Sequence, residues 1–583
     1  MIKLIKDIVH GYIEFEQDYI DIINTAEFQR LRNIRQTNYN SLYPSSLHDR
    51  FSHSLGVYAY GKYAFTNFQN NVKLDFISDP SLQDIDWEQK RRVFLRACLL
   101  HDIGHSPFSH TGEDFYLLRR VLSTKPKLSK EAYIYLELTK AVNLPSFTKD
   151  FDEKQLEKND VAKPHEIMSA IIGIKRFLKD GFSSKEKDLF ARMIIGLSYT
   201  ESNNLDSGIN NALIQLLNSS VIDVDRLDYL ARDRLMTGFE SARIDTDRLL
   251  ASVCLANKST DASNPNYHLG YYKNALSVIE SVVVAHDGER KWMQSHAVVL
   301  YDSFLVQKCI EAVQSVYGHE NEIFCEESLN QDGVAVNDGK SSPLIVRYLC
   351  DADILFLAKQ IPADNQYRPL IDEYFSRNKR KKAIWKSEAE YDLMVREIGD
   401  ADRKRVLQWL DHLFDNLPKG NRTDEKSVII NQQQEQIIKE RTKQMVALGK
   451  IEEEDALKSE NAILRKMSVF RSLAEKFDVE YDFVITYSNP FDSNAKKLIS
   501  NDVLIKYKNF DLPKPIGEII STYTLNENSF LQKIDTMKRI YFIYYKQKVG
   551  SKKRKKDNKN ILPLDFINYL KDNINNPSEK ISS

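Results

Sequence analysis

The chain of 583 residues is 42% hydrophobic and 28% charged with a formal net charge of −1, which is typical of soluble globular proteins and excludes a globally basic nucleic-acid binder. Its length predicts several domains or one large domain with appendages. The five cysteines form no CxxC pair, and we find neither an apolar leader nor a membrane-length apolar run. We therefore expect a cytoplasmic protein without a disulfide framework, a zinc ribbon or a membrane span.

The first part of the chain predicts a hairpin followed by helices. Residues 1 to about 20 alternate around a glycine, which is typical of a small β-hairpin. Residues 21–36 place apolar side chains at helical spacing, and Thr25 can cap a second helix among them. The segment RFSHSLG then begins a helix that carries His53 in its first turns. Helical patterns continue to about residue 315, interrupted by polar loops.

The stretch VFLRACLLHDIGHSPFSH, residues 93–110, is the most distinctive part of the sequence. Apolar residues at helical spacing lead to His101 and Asp102, and a glycine and a proline then break the helix into a turn carrying His105 and His110. A His-Asp dipeptide also occurs twice elsewhere, so it is the context here that indicates a site. Imidazole and carboxylate together suit Mn, Fe, Ni, Zn or, less well, Mg.

A metal site needs further ligands, and two segments offer them. His53 is one candidate, and Asp225 in VIDVDRLDYLARD is the other. Three acids of that second segment, Asp225, Asp228 and Asp233, cannot all face a core unpaired, because burying uncompensated carboxylates is costly. Either a cation or the two arginines of the same segment must offset them. The alternative is a surface helix on which these acids and arginines form ordinary ion pairs.

The second half of the chain is less informative. Residues 342–415 carry helical patterns around the basic run Arg377–Lys382, and residues 430–475 predict long charged helices without a strict heptad. Residues 480–524 are rich in β-branched and aromatic side chains, which predicts a small module that contains strands. The basic sequence KKRKK and the polar end of the chain predict a loop and tail.

The motifs RFSHSLGV, LLHDIGHSPFSH and IDVDRLDYLARD, in this order, form the pattern H…HD…D and resemble those of the HD-domain phosphohydrolases. More narrowly, the chain resembles the deoxynucleoside triphosphate triphosphohydrolases of that superfamily, also in its first 36 residues and in KPHEIMSAIIG at 163–173. The resemblance covers roughly residues 1–245 and is thinner over 285–312 and 480–524. It implies a divalent metal cofactor (Mg, Mn, Fe, Ni or Zn) and cleavage of a dNTP to deoxynucleoside and inorganic triphosphate.

The implied fold is mainly α, with an HD-domain helical core, a small N-terminal β-hairpin and a minor α+β C-terminal module. We expect five regions along the chain. These are a catalytic core over 1–315, a helical extension over 316–430, long charged helices over 431–475, the α+β module over 476–545, and a basic loop and tail over 546–583.

The resemblance also implies three groups of residues at the active site. The metal ligands are His53, His101, Asp102 and Asp225. The catalytic group is His105, His110 and His165, with His110 as the general acid and either Glu113 or Glu166 orienting a histidine. The substrate-binding group is Gln36, Arg50, Arg226, Tyr229, Asp233, Tyr301 and Asp302. Within it, Tyr229 packs under C2′ and excludes ribose, and Arg226 and Asp302 replace a lysine and a glutamine of the mammalian family member.

A nucleotide effector and a homo-oligomer are further implications of the resemblance. The effector-binding residues would be Lys3, Asn24, Gln29 and Arg32. Asn24 replaces an aspartate of the mammalian member, and an amide suits the donor edge of guanine less well than a carboxylate does. We therefore expect any nucleotide activator not to be GTP specifically. The alternative is that Asn24 only caps a turn.

Two other functions stay open from the sequence. One is an HD phosphohydrolase that acts on a nucleoside monophosphate or a cyclic nucleotide. The other is a nucleic-acid-binding HD regulator, which the basic runs RNKRKK and KKRKK favour weakly and the complete ligand set disfavours.

Overall fold

The computed structural model describes most of the chain and confirms a mainly α fold with a small N-terminal β-hairpin. The described residues are 2–117, 130–154, 162–200, 204–259, 261, 265–318, 323–336, 344–417, 426–448, 452–490, 498, 503–507, 512–519, 539–548 and 561–574. The predicted basic sequence KKRKK and the end of the predicted tail lie outside them. Along the described ranges, no helix is both long and apolar enough to cross a bilayer. None of the five cysteines forms a disulfide.

The helices account for most of the described chain. The α-helices are α1 (Gln17–Ile23), α2 (Ala26–Gln29), α3 (Arg50–Asp75), α4 (Trp87–Leu100), α5 (His110–Glu113), α6 (Lys130–Val142), α7 (Pro145–Asp152), α8 (Pro164–Ile172), α9 (Ser184–Ile195), α10 (Leu205–Leu217), α11 (Val224–Thr237), α12 (Thr246–Ala251), α13 (Leu276–Glu289), α14 (Ala297–Val313), α15 (Asp351–Gln360), α16 (Arg368–Phe375), α17 (Glu388–Glu397), α18 (Asp400–Asn416), α19 (Gln432–Ala447), α20 (Glu453–Phe477), α21 (Ile516–Ile519) and α22 (Pro563–Asn573). The strands are β1 (Ile2–Asp7), β2 (Gly11–Glu16), β3 (Val253–Asn257), β4 (Tyr267–Tyr272), β5 (Val334–Val336), β6 (Leu344–Val346), β7 (Lys382–Ala383), β8 (Ser427–Asn431), β9 (Asp482–Ser488), β10 (Leu504–Lys506), β11 (Lys514–Pro515) and β12 (Ile540–Tyr545).

These elements form two compact units. Unit 1 comprises Met1–Glu289, Val306–Ile371 and Asp492–Leu525, and unit 2 comprises Arg290–Leu305, Asp372–Phe491 and Asn526–Ser583. Unit 1 holds the sheet β11-β10-β4-β3 and the pair β5-β6, and unit 2 holds the sheet β7-β12-β9-β8. The sequence assigns β9, β10 and β12 to one C-terminal module, whereas in the structure β10 pairs with β4 of unit 1. Tertiary contacts determine which strands pair, and a local sequence pattern does not reveal those contacts.

The predicted hairpin is confirmed, and its turn has a clear local cause. Strands β1 and β2 pair antiparallel from Ile2 opposite Glu16 to Asp7 opposite Gly11. Gly11 has a φ of +72°, a conformation that suits glycine because it has no Cβ. The Asp7 carboxylate accepts the backbone N–H groups of Val9 and His10 at 2.8 and 3.0 Å, which closes the turn.

Helix α3 is the central helix of unit 1 and packs against α4 and α11. The Asp49 side chain caps its start by accepting the N–H of Ser52 at 2.8 Å. Before it, Thr25 caps α2 as predicted by accepting the N–H of Phe28. A Cβ at Gly56 would lie 1.9 Å from the Asp228 carboxylate, so glycine at this position lets α11 approach α3 closely.

Helix α4 matches the apolar stretch that the sequence singles out. Its predicted core positions, Val93, Phe94, Ala97, Cys98 and Leu100, are fully buried. The Asp86 side chain caps its start, and His101 lies at its C-terminal end. The turn after His101 then returns the chain toward α8, so residues 101–110 begin in the core and end at the surface.

Candidate active site

Three helix ends in unit 1 supply the predicted metal ligands. Arg50 and His53 lie in the first turn of α3, and His101 and Asp102 follow the last residue of α4. Asp225 lies in the first turn of α11, where Asp223 caps the helix by accepting the N–H of Arg226 at 2.7 Å. The side chains from these three helix ends meet at one point.

The four predicted ligands form one compact group. The Nε2 atoms of His53 and His101 are 3.3 Å apart, and Oδ1 of Asp225 lies 2.9 Å from the first and 3.6 Å from the second. The carboxylate oxygens of Asp102 lie 3.6 Å from Nε2 of His53 and 3.5 Å from Nε2 of His101. Ligand atoms of His53, His101 and Asp225 lie within 4.8 Å of one another and could hold a divalent cation, and Asp102 lies beside them as the fourth predicted ligand. Such a set leaves coordination positions for water and substrate.

The two histidines are held so that Nε2 faces the centre of this group. Nδ1 of His53 lies 2.8 Å from Oδ2 of Asp228, and Nδ1 of His101 lies 2.9 Å from the carbonyl oxygen of Cys98. An Nδ1–H that donates to an oxygen leaves the Nε2 lone pair available to a metal. This contact is the usual outer support of a metal-binding histidine, and it strengthens the assignment.

The carboxylates of the group are ionised. Burial acts to raise the pKa of Asp102, but Arg50 together with His101 and His105 outweighs it and holds the pKa well below its usual range. Burial also acts to raise the pKa of Asp225. The contacts with His101 and His53 together outweigh burial and hold this pKa well below its usual range. The pKa of His53 is lowered by burial but raised more by its bonds to Asp225 and Asp228, to about 9, so a cation that binds Nε2 displaces a proton from this ring. Negative oxygens are therefore present to receive a cation.

Arg50 joins this metal group to its surroundings. Its guanidinium donates to Oδ2 of Asp102 at 2.8 Å and to the hydroxyl of Ser109 at 2.9 Å. It also donates to the backbone carbonyl of Gln36 at 3.3 Å. These contacts hold a buried positive charge directly beside a metal ligand, where it can neutralise a phosphate oxygen.

Beside Arg50 lie the three predicted catalytic histidines. The rings of His105 and His165 stack at 4.0 Å with an interplanar angle of 15°, and the ring of His110 meets both edge-on at 5.2 and 5.1 Å. Nε2 of His105 lies 3.1 Å from Oδ1 of Asp102. Burial and the nearby Arg50 hold the pKa of His105 well below its usual range, so this ring is neutral.

Glu113 orients two of these histidines. Its carboxylate accepts from Nδ1 of His110 at 3.0 Å and from Nδ1 of His165. The sequence leaves this role to Glu113 or Glu166, and the structure gives the contact to Glu113. Glu166 instead caps α8 by accepting the backbone N–H of Lys163 and receives a bond from Asn218.

The histidine cluster is less suited to a metal than the first group. Nitrogens of His105, His110 and His165 lie close enough to hold an ion. However, two nearly parallel stacked rings cannot both direct an in-plane lone pair at one cation. The neighbouring Arg50 adds a positive charge. The cluster is therefore better suited to surrounding an anionic group.

Among the predicted sugar- and phosphate-binding residues of unit 1, some are paired within the protein, and others have a buried polar atom without a partner among the described residues. Asp233 binds Nε2 of His48 and is buried. The Arg226 Nε donates to the Tyr229 hydroxyl at 3.2 Å, while the other guanidinium nitrogen of Arg226, NH1, is buried without a hydrogen-bond partner among the described residues. The same is true of the side-chain oxygen of Gln36. Buried polar atoms of this kind are normally paired, so these two atoms are available to a polar ligand.

Tyr301 and Asp302 belong to unit 2. There the Tyr301 hydroxyl donates to Glu373, and Asp302 forms an ion pair with Arg380 at 2.7 Å. Their predicted contact with sugar and base stays a prediction.

The predicted effector residues lie along the hairpin and the helices after it. Lys3 is exposed on β1, and Asn24 is exposed at the C-terminal end of α1. Arg32 donates to Gln29 at 2.8 Å, and its guanidinium lies 3.5 Å above the ring of Phe51. Effector binding at these residues stays a prediction.

Sequence reasoning does not find the outer support of the site. It weighs Asp228 only as one of three acids that need compensation, and it does not consider His10 or Asp7. The available signal is the spacing of Asp225 and Asp228, which places both carboxylates on one face of α11. No signal links His10 to α11, because the contact joins residues 218 positions apart.

The comparisons with known proteins agree with this geometry. Residues 50–233 match the family model of the HD domain, and this range contains all four predicted metal ligands. An uncharacterized protein of Methanocaldococcus jannaschii is 27% identical over 386 residues, covering 66% of this chain and 63% of that protein. A "Deoxynucleoside triphosphate triphosphohydrolase SAMHD1 homolog" of Dictyostelium discoideum is 40% identical over 116 residues, covering 19% of this chain and 20% of that protein.

These matches are partial in length. The chain spans 63% of the Methanocaldococcus relative and 53% of an uncharacterized relative from Mycoplasma pneumoniae. Among solved structures, a hypothetical protein from Aquifex aeolicus covers 94% of this chain and 97% of its own, with 17% identity and a TM-score of 0.49.

Proposed function

Because residues 50–233 form an HD domain, the metal-dependent phosphohydrolase domain, we propose that the protein hydrolyses deoxynucleoside triphosphates to deoxynucleoside and inorganic triphosphate. One observation carries the proposal: the metal group and the histidine cluster share Asp102. One of its oxygens accepts from Arg50 at 2.8 Å, and the other lies 3.1 Å from Nε2 of His105. A phosphate placed over Arg50 and His105 is therefore also beside the metal ligands.

The metal ligands provide the site at which the phosphoryl group would be polarised. His53, His101, Asp102 and Asp225 would hold the divalent cation. The cation, when bound, supplies Lewis-acid polarisation of a phosphoryl oxygen and lowers the pKa of a bound water. Asp228 and the Cys98 carbonyl keep the imidazoles in the required tautomer. Arg50 neutralises a phosphate oxygen at the same edge.

The histidine cluster supplies the proton. The side chain of His110 is 54% exposed, so a substrate entering from solvent reaches it first. Its Nδ1 donates to Glu113, so Nε2 can donate a proton to the departing 5′ oxygen only when the ring is doubly protonated. Partial burial lowers the pKa of His110, and the Glu113 carboxylate acts to raise it, so Glu113 favours the protonated ring that this step needs. His165 bonds to the same carboxylate, so Glu113 positions both rings.

The triphosphate and deoxyribose assignments rest on α11. The buried, unpartnered guanidinium nitrogen of Arg226 has the chemistry to bind an anionic oxygen of the triphosphate. Tyr229 is held beside it by a bond from Arg226 and is proposed to close the space that a ribose 2′-hydroxyl would need. Relatives named as deoxynucleoside triphosphate triphosphohydrolases support the same substrate class.

Incubation with each dNTP and each NTP in the presence of Mn²⁺ or Mg²⁺, followed by chromatography, tests the proposal. We expect deoxynucleoside and inorganic triphosphate from dNTPs, and little turnover of NTPs. Pyrophosphate or orthophosphate as the first product would instead favour an HD phosphohydrolase of another class, such as one acting on nucleoside monophosphates or cyclic nucleotides. The variant His101→Ala is the control for contaminating hydrolases.

A nucleic-acid-binding regulator has less support. In the basic run, Lys379 pairs with Asp372, and Arg380 pairs with Asp302. Lys381 is 1% exposed and pairs with Glu373 and Asp482. Arg380 and Lys381 are largely buried in these pairs, which leaves their charges little access to phosphates, whereas Lys379 is half exposed.

Regulation by a nucleotide and assembly into a homo-oligomer are part of the proposal. Arg32 and Gln29 form a preformed polar pair beside an aromatic ring, which is suited to a nucleotide phosphate and supports an effector site. Light scattering with and without nucleotide tests the assembly, and an active monomer at micromolar concentration would contradict it.

A further inference from the structure

The turn of the N-terminal hairpin contacts the support of the metal group. His10 lies between β1 and β2, and its side chain is 8% exposed. Its Nε2 lies 2.6 Å from Oδ1 of Asp228. The other oxygen of Asp228 lies 2.8 Å from Nδ1 of His53, a predicted metal ligand. One carboxylate therefore connects the hairpin to the metal group.

The turn is built so that His10 reaches this carboxylate. Asp7 accepts the N–H groups of Val9 and His10, which sets the course of the backbone. Asp7 also accepts from Arg232 at 2.9 Å, so the turn is docked on α11 by a second contact that does not involve His10. The ring of His10 meets the ring of Tyr60 edge-on at 4.3 Å, which limits its rotation.

Asp228 has little freedom of its own. It is fully buried, and Arg232 donates to its two oxygens at 2.9 and 3.1 Å. On the side of α3, only the absence of a Cβ at Gly56 leaves room for it. Arg232 contacts both oxygens from one side, and His10 and His53 each contact one oxygen from other sides. These contacts together set the direction of the carboxylate, and so the orientation of the His53 ring.

We propose that His10 is a positioning residue of the metal centre, which holds Asp228 so that Asp228 keeps Nε2 of His53 directed at the cation. This inference rests on the metal dependence of the proposed function and not on its substrate. If His10 only held the hairpin in place, its replacement would leave the metal affinity unchanged, because the contact between Asp7 and Arg232 already docks the hairpin.

Mn²⁺ binding to the full-length, metal-stripped protein tests the inference by titration calorimetry, independently of hydrolysis. Removing the direct partner of a metal ligand, here Asp228, costs about 10- to 100-fold in affinity. His10 acts one contact further out, so we expect His10→Phe to lose up to about tenfold. His10→Gln places an amide N–H where Nε2 lay and is expected to regain most of the affinity. Ile8→Ala, at a 64% exposed position of the same turn, is the matched control and should bind like the parent.

His10→Asn gives a further discrimination, since its amide reaches only the position of Nδ1. We expect it to bind Mn²⁺ as weakly as His10→Phe, and this comparison with His10→Gln stands if the Phe variant does not fold. The visible spectrum of the Co²⁺ form should change in His10→Asn and not in Ile8→Ala, which reports the ligand geometry directly.

Unchanged Mn²⁺ affinity in His10→Phe would overturn the inference, as would equal losses in His10→Gln and His10→Asn. A parent protein that binds no Mn²⁺ would overturn it together with the metal-dependent function. A parent that binds Mn²⁺ with the expected order of variants but hydrolyses no dNTP would support the inference and refute the proposed substrate.

Discussion

Arg50 donates a hydrogen bond to Asp102 at 2.8 Å, so the charge proposed to bind phosphate is attached to a metal ligand. Neither residue is exposed, and the second contact of Arg50, with Ser109, comes from the loop that carries His105 and His110. In the proposed function, one connected set of side chains would therefore balance the charge of the substrate and that of the cation.

This relationship predicts the behaviour of Arg50→Lys. The lysine keeps one positive charge but cannot contact Asp102, Ser109 and Gln36 together, because it lacks the planar guanidinium. We expect kcat/KM for dNTP hydrolysis to fall about 100-fold, roughly the effect of removing one oriented donor from a charge-stabilising site. The bound metal, measured by elemental analysis, should be retained. Loss of the metal along with activity would contradict the division of roles.

The metal ligands predict a different pattern. His101→Ala and Asp225→Ala each remove one of four converging donors, so we expect both to abolish hydrolysis and to lower the bound metal. The fold should survive in each, since both ligands lie at helix ends, and circular dichroism checks this. Activity that persists in either variant under metal-controlled conditions would refute the ligand assignment.

Tyr229 predicts the preference for deoxyribose. Tyr229→Ala opens the space proposed to lie under C2′, so the ratio of kcat/KM values for a dNTP and its NTP should fall. The ratio falls because kcat/KM for the dNTP decreases when the sugar loses its contact with the ring. If the cavity also admits the 2′-hydroxyl, kcat/KM for the NTP rises and lowers the ratio further. Parallel kinetics with dATP and ATP measure the ratio, and an unchanged ratio would show that Tyr229 does not discriminate.

Asp351 predicts a pH-dependent stability. Its carboxylate accepts the backbone N–H of Phe108 at 2.7 Å and of Arg35 at 3.1 Å, which anchors the loop before His110. Burial raises the pKa of Asp351 to about 6, although these hydrogen bonds act to lower it. The unfolded value is about 3.9, so the folded state binds the proton more tightly.

This contribution to the free energy of unfolding is therefore fully present below about pH 4 and is lost as the pH rises to about 6. Asp351→Asn cannot titrate and should remove that part of the pH dependence, a difference of up to about 3 kcal/mol across the window. Urea unfolding of the parent and the variant between pH 4 and pH 8 measures the difference. Parallel curves for the two proteins would contradict the raised pKa.

Asn24 predicts the choice of activator. An amide offers one donor and one acceptor, which matches the two donors of guanine poorly. We expect activation of dNTP hydrolysis by a nucleotide other than GTP, and a shift toward GTP in Asn24→Asp. A panel of ribo- and deoxynucleotides added to both proteins tests this. Strong activation of the parent by GTP alone would refute the argument.

The sequence by itself determines most local features of this protein. Alternation around Gly11 predicts the hairpin, the Thr25 cap appears where it is expected, and the apolar stretch before His101 is a buried helix that ends there. These features depend on neighbours a few residues away, whose spacing and capping chemistry are visible in a linear pattern. The same holds for the order H…HD…D, since each motif is short.

Only the tertiary structure decides which groups support the site. The contacts of His10 with Asp228 and of Asp228 with His53 join residues 218 and 175 positions apart, and the choice of Glu113 over Glu166 depends on how α5 meets α8. The same is true of Tyr301 and Asp302, which are engaged inside unit 2, and of β10, which joins the sheet of unit 1. A side chain's partner across the core is set by the packing of whole helices and sheets, which no local pattern encodes.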